Sequence, residues 1–275
     1  MSNPSPTVAI IGGSGLYSLF APAESESLSV ATPYGPVPVT IGRLGGRDVV
    51  FITRHGSDHS VPPHLINYRA NIWALASLGV RVILSSSAVG GLAAGYPPGR
   101  LVLTDQYIDR TWGRSDTFFD EGSVQHLTSA DPFDPALHRI AVDALAAAGE
   151  RVSPTGTVVV IQGPRFSTRA ESRWFAAAGG HIVNMTMYPE VPLASELNIA
   201  TANLAFVTDS DAGVAESADA ADDVNHQLVL ARLRDAQPRI IAAIETIIRA
   251  LPTDFASEAV PATAVAEVLA RPVTG

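Results

Sequence analysis

The chain contains neither cysteine nor lysine in its 275 residues. Without cysteine it can form no disulfide, no thiolate metal site and no cysteine nucleophile. All 18 basic residues are arginine, so the lysine of a P-loop, a Schiff-base lysine and a lysine general base are excluded as well. These two absences remove several common enzyme mechanisms before any motif is considered.

An excess of positive charge and a long apolar run are also missing. The formal net charge is −9, which argues against general nucleic-acid binding. No apolar run approaches the length of a membrane-spanning helix. Residues 1–7 are polar and proline-rich and lack the basic, then apolar pattern of a signal peptide. The sequence therefore predicts no nucleic-acid partner, no membrane partner and a cytoplasmic location.

Short β-branched runs alternate with longer helical patterns along the chain. Several runs are apolar without alternation, as expected for strands buried on both faces. We predict one α/β domain over residues 1–275, with a mixed, mainly parallel sheet flanked by helices. The predicted strands are Thr7–Ile11, Val37–Ile41, Asp48–Thr53, Val80–Ser85, Leu101–Asp105, Thr155–Ile161, His181–Met185 and Leu204–Thr208. The predicted helices are Leu65–Leu78, Ala136–Ala148, Thr168–Ala178, Val224–Ala250 and Glu258–Leu269.

The two ends of the chain and one loop are expected to lie outside the regular core. Residues 1–6 are predicted to be a flexible N-terminus, and residues 252–275 a tail whose only regular element is a short amphipathic helix. The segment 209–223 is small, acidic and alanine-rich. It predicts a mobile loop that could serve as a lid.

Three segments after predicted strands carry groups that bind anions. In the segment Gly12 to Gly15, glycines let backbone N–H groups approach an anion, and Ser14 adds a hydroxyl. Arg54 and His55 follow another strand, where the planar fork of an arginine can hold phosphate. The serine-rich segment Ser85 to Gly91 predicts a strand-to-loop turn with further donors. Because ligands of open α/β sheets bind beyond the carboxyl ends of strands, we predict one shared anion site.

Two other uses of these motifs are disfavoured. The glycine-rich segment lacks the third glycine of a dinucleotide fingerprint, because Ser18 occupies that position, and no acidic residue ends a second strand at the right distance. This weakens the case for a NAD-dependent dehydrogenase. The three histidines between residues 55 and 64 have only Asp58 nearby as a carboxylate. We therefore predict neither a metal nor an organic cofactor.

Two further segments carry groups that suit a planar heterocycle. Phe166 follows the predicted strand Thr155–Ile161, and an aromatic ring at a strand-to-helix turn can stack on a base. Core packing is the simpler explanation for that residue. Asp209 and Asp211 end an apolar strand with a spacing that lets both carboxyls face one ligand. An isolated Asp-x-Asp pair more often caps a loop.

Taken together, these segments resemble the trimeric purine nucleoside phosphorylase family, and within it the methylthioadenosine phosphorylases. The resemblance runs from about Val8 to Gly213. It is carried by Gly12–Leu16, Arg54–Gly56, Asn67–Leu75, Asp105–Thr111, Gly163–Phe166, Asn184–Thr186 and Thr208–Asp211. It implies a purine nucleoside phosphorylase-like α/β domain assembled as a homotrimer. It also implies pentosyltransferase activity, with inorganic phosphate as co-substrate and no other cofactor.

The resemblance implies a role for each matched residue. Phosphate would be held by Ser14, Arg54, His55, Ser87, Ala88 and Thr186. Met185 would contact the ribose hydroxyls, and Phe166 would stack near the base. Asp209 and Asp211 would be the catalytic pair that faces the purine, Asp209 protonated near N7 and Asp211 ionised near the 6-amino group. His126 would line the 5′ pocket of a neighbouring subunit.

The expected reaction is phosphorolysis of the N-glycosidic bond of 5′-deoxy-5′-methylthioadenosine, in purine salvage. Ser14 and Ser87 stand where many members of the family carry threonine, and Tyr188 replaces a smaller aliphatic residue. The loop 212–223 and the tail do not align with the family, whose corresponding regions shape the 5′ pocket. A 5′-halogenated 5′-deoxyadenosine and a 6-oxopurine nucleoside therefore remain alternative substrates. A phosphate- or nucleotide-binding regulator without turnover is the non-enzymatic alternative.

Overall fold

The computed structural model of the chain describes residues 7–212 and 226–273. The expected flexible N-terminus and the expected lid from residue 213 onward lie outside the described residues. In the described ranges, no helix combines the length and apolar character needed to cross a membrane.

The described residues form a mixed sheet of 11 strands. The strands are β1 (Val8–Gly12), β2 (Glu26–Val30), β3 (Val37–Leu44), β4 (Arg47–Thr53), β5 (Val82–Gly91), β6 (Leu101–Leu103), β7 (Gln106–Arg110), β8 (Val152–Ser153), β9 (Thr157–Ile161), β10 (Ile182–Asn184) and β11 (Ala200–Ser210). The main path of the sheet runs in the order β2-β3-β4-β1-β5-β10-β9-β7, while β11, β6 and β8 branch from β5. Six strand pairs are parallel and four are antiparallel, as predicted for a mainly parallel sheet.

Helices cover both faces of this sheet. They are α1 (Tyr68–Ser77), α2 (Pro135–Ala147), α3 (Arg169–Ala177), α4 (Met187–Glu196), α5 (His226–Ala250) and α6 (Ala262–Leu269). Helices α2 and α5 pack with one face of the central strands in one apolar cluster, while α1, α4 and α6 pack with the other face in a second. The predicted α/β fold class is confirmed.

Local sequence signals explain where several helices begin. Asp134 caps α2 by accepting from the backbone N–H groups of Ala136 and Leu137, and Pro135 occupies the first turn, where it needs no hydrogen-bond acceptor. Thr168 and Glu171 form a reciprocal capping box at the start of α3.

The tail helix α6 packs on this same chain, where Trp73 Nε1 donates to the Val268 carbonyl at 3.2 Å.

The sequence prediction missed β2, β7, β8 and α4. Helix α4 has a kink at Tyr188 and Pro189, and Pro192 lies within it. Two prolines in ten residues argue against a helix on propensity alone. Pro192 is tolerated because it falls in the first turn after the kink, where its missing N–H removes no helical hydrogen bond.

Candidate active site

Two strands approach the same edge of β5 from opposite directions. Strand β1 is parallel to β5 and pairs with Val82 to Ser85, whereas β10 is antiparallel and pairs with Gly90 and Gly91. The carboxyl ends of β1 and β10 therefore face each other across the middle of β5. The segments that follow β1, β4 and β10 converge there, which places the predicted site residues around one opening in the sheet.

That opening is a cavity of about 320 Å³. Its wall includes every residue that the sequence analysis assigned to the chain's own site. These residues are Ser14, Arg54, His55, Ser87, Ala88, Phe166, Met185, Thr186, Asp209 and Asp211. The size suits a small organic ligand.

The serine-rich segment is not the strand-to-loop turn that we predicted. Strand β5 continues to Gly91 because β11 pairs with it along its whole length. Asn203 of β11 stabilises the polar stretch, since it donates to Ser85 Oγ at 2.8 Å and accepts from the Ser87 hydroxyl at 3.1 Å. Ser87 and Ala88 thus line the cavity from mid-strand, and the Ser87 hydroxyl already donates within the protein.

Arg54 follows β4 and is 3% exposed. The fork of its guanidinium does not point freely into the cavity, because Nε donates to Glu190 Oε2 at 2.6 Å and Nη2 donates to Glu190 Oε1 at 2.8 Å. Nη1 donates to the carbonyl of Ser86 at 2.9 Å. Burial lowers the pKa of Arg54, but the Glu190 carboxylate outweighs it and raises the pKa above its ordinary value. Arg54 is therefore a fixed, charged donor.

His55 lies next to Arg54 in the same wall. Its Nδ1 is 2.9 Å from the Val61 carbonyl, and because a carbonyl only accepts, Nδ1 carries the hydrogen. Burial, together with the positive charge of Arg54, lowers the pKa of His55 to about 4. At neutral pH the ring is therefore uncharged, and its Nε2 is an acceptor.

Asp209 and Asp211 are both buried near the end of β11. The Thr208 hydroxyl donates to Asp209 Oδ1 at 2.6 Å. Burial raises the pKa of Asp211, and the Ser172 hydroxyl, which donates to Asp211 Oδ2, lowers it. The pKa of Asp211 is raised overall, which runs against our expectation that Asp211 is the ionised partner, and the Ser172 hydrogen bond is the largest of the contacts that oppose this rise.

One buried polar group in the cavity wall, the side-chain nitrogen of Asn184, has no partner within the described part of the chain. The Ser167 hydroxyl lies near Asp211 and lowers the pKa of that carboxyl. Buried polar groups in proteins are nearly always satisfied, so the Asn184 nitrogen indicates a polar ligand.

Phe166 is 40% exposed at the cavity mouth. Its exposure rules out simple core packing, and the ring remains available for stacking. The nearby Gly163 has φ of +65°, and a Cβ built there would lie 2.6 Å from Met185 Sδ. The positive φ favours glycine at this position, and any larger residue would also require the Met185 side chain to move.

His126 lies in the irregular segment between β7 and α2 and is exposed. It is not part of the cavity wall of its own chain. Its expected role concerns a neighbouring subunit, so that role stays a prediction. Among the described residues, no group of three or more His, Asp or Glu side chains is arranged to hold a metal ion.

Glu190, Ser167 and Ser172 had no predicted role. A signal for Glu190 was present, because it follows Asn184-Met185-Thr186 in a run of buried apolar residues. An acidic residue in such a run needs a cationic partner, and Arg54 was the available candidate. The serines carried no comparable signal.

Comparison with known proteins identifies the family of the chain. The family model of the phosphorylase superfamily matches residues 7–249. The S-methyl-5′-thioadenosine phosphorylase of Mycolicibacterium smegmatis is 51% identical over 209 residues, which cover 75% of this chain and 78% of that protein. A methylthioadenosine phosphorylase from an antarctic soil metagenomic library has a solved structure with a TM-score of 0.80 and 36% identity, covering 98% of this chain and 100% of its own.

A further solved structure contains a nucleoside. It is a single-site variant of the adenosine/methylthioadenosine phosphorylase of Schistosoma mansoni in complex with methylthioadenosine. The TM-score is 0.77 and the identity 32%, over 97% of this chain and 93% of that one. The family match extends beyond Gly213, where the resemblance seen in the sequence motifs ended.

The fold and the family match together define the class, which is that of the nucleoside phosphorylases. The chain therefore belongs to the phosphorylase superfamily and, within it, to the S-methyl-5′-thioadenosine phosphorylase family. This confirms the resemblance on which the sequence analysis relied. It also confirms that the chain is a pentosyltransferase.

Proposed function

We propose that the chain catalyses phosphorolysis of 5′-deoxy-5′-methylthioadenosine to adenine and 5-methylthioribose 1-phosphate. The observation that carries this proposal is that Arg54 and the two aspartates, Asp209 and Asp211, lie at separate places along β5. Arg54 contacts β5 at Ser86, whereas a Cβ built on Gly90 would lie 3.2 Å from the Cβ of Asp211 and 3.4 Å from Asp209 Oδ2. Four steps of extended strand span about 13 Å, which a phosphate, a ribose and a purine in a row would fill.

In the proposed reaction, the two ends of the cavity stabilise opposite charges: the phosphate end faces the sugar and the aspartate end faces the base. The bond between C1′ and N9 breaks with its electron pair moving to the purine, and a phosphate oxygen forms the new bond to C1′. Positive charge builds on the sugar beside the phosphate, and negative charge builds on the departing base. Protonated Asp209 would hydrogen-bond to N7 or donate a proton there as that charge develops.

Asp211 is proposed to select the base. An ionised carboxylate only accepts hydrogen bonds, and the 6-amino group of adenine is a donor. The Ser172 hydroxyl donates to Asp211 Oδ2 and so favours the ionised form, while Oδ1 can accept from the amine. Phe166 would stack on the ring and Met185 would contact the ribose.

Phosphate is proposed to be held by Ser14, Arg54, His55, Ser87, Ala88 and Thr186. Neutral His55 would accept from a protonated phosphate oxygen, and Ser87 would turn its hydroxyl from Asn203 to donate to the anion. Because phosphate supplies the nucleophile, no metal or organic cofactor is needed. We also propose a homotrimer in which His126 completes the 5′ pocket of a neighbouring subunit, a cytoplasmic location and a place in purine salvage. Residues 1–275 are proposed to form one domain.

A nucleoside panel assayed with and without inorganic phosphate tests the proposal. The panel contains methylthioadenosine, a 5′-chloro-5′-deoxyadenosine, adenosine and methylthioinosine, with release of the free base as the readout. We expect methylthioadenosine to give the highest kcat/KM and release to require phosphate. A higher kcat/KM for the chlorinated or the 6-oxo nucleoside would reassign the substrate, and binding without base release would favour the regulator.

A further inference from the structure

Glu190 and Arg54 form a buried bidentate pair in the wall of the cavity. The two carboxylate oxygens lie 2.6 and 2.8 Å from Nε and Nη2, and both side chains are at most 5% exposed. Arg54 reaches this position from the end of β4, and Glu190 from α4 just after the residues that follow β10. The pair therefore joins two of the segments that form the cavity.

The pair determines which donors of Arg54 remain available. A guanidinium carries five N–H donors. Glu190 takes the single hydrogen on Nε and one on Nη2, and the Ser86 carbonyl takes one on Nη1. One hydrogen remains on Nη1 and one on Nη2. An anion in the cavity can therefore accept from Arg54 only through these two N–H groups.

The pair also sets the charge of the anion site. Glu190 balances the positive charge of Arg54, and His55, the neighbouring titratable group, is neutral near pH 7 because its pKa is about 4. Attraction of an anion to this wall therefore depends on directed hydrogen bonds rather than on net charge. Such a site is sensitive to the orientation of the Arg54 guanidinium.

We propose that Glu190 is the positioning residue of the phosphate site and acts on phosphate only through Arg54. This inference rests on the proposed function, since it takes the anion to be the phosphate co-substrate. A buried ion pair is weak evidence for a stabilising role, because desolvation of both charges offsets their attraction. Its bidentate geometry, by contrast, fixes the plane and the rotation of the guanidinium.

A double-mutant cycle of Arg54→Ala and Glu190→Gln tests the proposal, because it separates an effect through Arg54 from an independent one. In the wild-type background we expect Glu190→Gln to raise the phosphate KM at least about tenfold, with the nucleoside KM nearly unchanged. In the Arg54→Ala background the same substitution should lower the phosphate KM, because it removes an unpaired buried carboxylate beside the anion. An equal loss in both backgrounds would overturn the proposal, as would a rise in the nucleoside KM alone.

Glu196→Gln is the matched control. Glu196 lies on the same helix and is also buried, but it accepts from the Phe118 N–H and the Thr117 hydroxyl, both neutral donors. We expect its substitution to lower the melting temperature without changing the phosphate KM. An equal rise in phosphate KM for Glu196→Gln would show that general loosening of α4 explains the result, and would overturn the proposal.

Calorimetric titration with inorganic phosphate separates failure of this inference from failure of the proposed function. If Glu190→Gln does not fold, Glu190→Asp is measured instead, since it keeps the charge but is too short for the bidentate contact. We expect weaker phosphate binding than in the wild-type protein for whichever variant folds. Equal binding would overturn the role of Glu190 and leave phosphorolysis intact. A wild-type protein that binds no phosphate would overturn the proposed function and this inference with it.

Discussion

The Ser172 hydroxyl in α3 contacts the Asp211 carboxylate at the end of β11 and donates a hydrogen bond to it. Both side chains are buried. Burial raises the pKa of Asp211, and this hydrogen bond lowers it. One hydroxyl from a neighbouring element thus favours the ionised state in a residue that burial pushes towards the neutral state.

Replacing Ser172 with alanine should therefore raise the pKa of Asp211 further. If catalysis needs ionised Asp211, the acid limb of the pH dependence of kcat/KM should move to higher pH, while the plateau stays close to the wild-type value. Ser77→Ala, which removes a hydroxyl that donates to the Ala74 carbonyl within α1, is the control. If the acid limb of Ser172→Ala coincides with that of the wild-type protein, ionisation of Asp211 does not control activity.

Asp211→Asn should shift the preference of the enzyme toward 6-oxopurines, even if overall rates fall. The amide supplies a donor to a 6-carbonyl oxygen, whereas the carboxylate opposes it with a second acceptor. The comparison is kcat/KM for methylthioadenosine and methylthioinosine in each protein. Asp209→Asn is the matched control and should slow both substrates alike. A wild-type protein that already favours methylthioinosine would contradict the role of Asp211.

The buried His55 should make stability depend on pH below neutrality. Its pKa is lowered to about 4, whereas that of the unfolded chain is near 6.5. As the pH falls from about 6.5 to about 4, the unfolded state takes up the proton first, so the free energy of unfolding decreases, by up to about 3 kcal/mol.

Denaturant titrations at several pH values check this expectation. The difference in stability between the wild-type protein and His55→Asn should shrink between pH 6.5 and pH 4. His64→Asn is the control for the same replacement at an exposed position. A constant difference between wild type and His55→Asn over that range would mean that His55 titrates normally in the folded protein.

The proposed trimer should contain composite sites. His126 is exposed and lies outside the cavity wall of its own chain. In the proposed trimer, His126→Ala therefore damages the site of a neighbouring subunit, whereas Arg54→Ala damages the site of its own subunit. Mixing and reassembling the two impaired variants should restore part of the activity through hybrid sites. A fully active monomer in light scattering would contradict this prediction.

Much of the site could be predicted from the sequence because its parts follow strands. The run Val8 to Ile11 reads as a buried strand, and the glycines and Ser14 after it are visible without a structure. Arg54 and Asp209 are recognisable in the same way. In a sheet of this class, groups after strands gather at one place, so position along the chain predicted position in space.

What the sequence could not show is how separate elements meet. The serines of β5 read as a turn because the strand that holds them, β11, begins at Ala200, more than a hundred residues later. The orientation of Arg54 depends on Glu190, which is 136 residues away. The environment of Asp211 depends on Ser172, a residue with no local signal. Strand pairing and side-chain contacts between residues this far apart in the chain cannot be read from a local sequence pattern.

Product analysis of methylthioadenosine incubated with the enzyme and inorganic phosphate tests the central claim most directly. Phosphorus NMR and chromatography of the same sample would follow the phosphate and the base together. We predict that each adenine released is accompanied by one 5-methylthioribose 1-phosphate, and that release stops when phosphate is omitted. Free 5-methylthioribose with no new phosphate ester, or equal release without phosphate, would contradict the account and define a hydrolase.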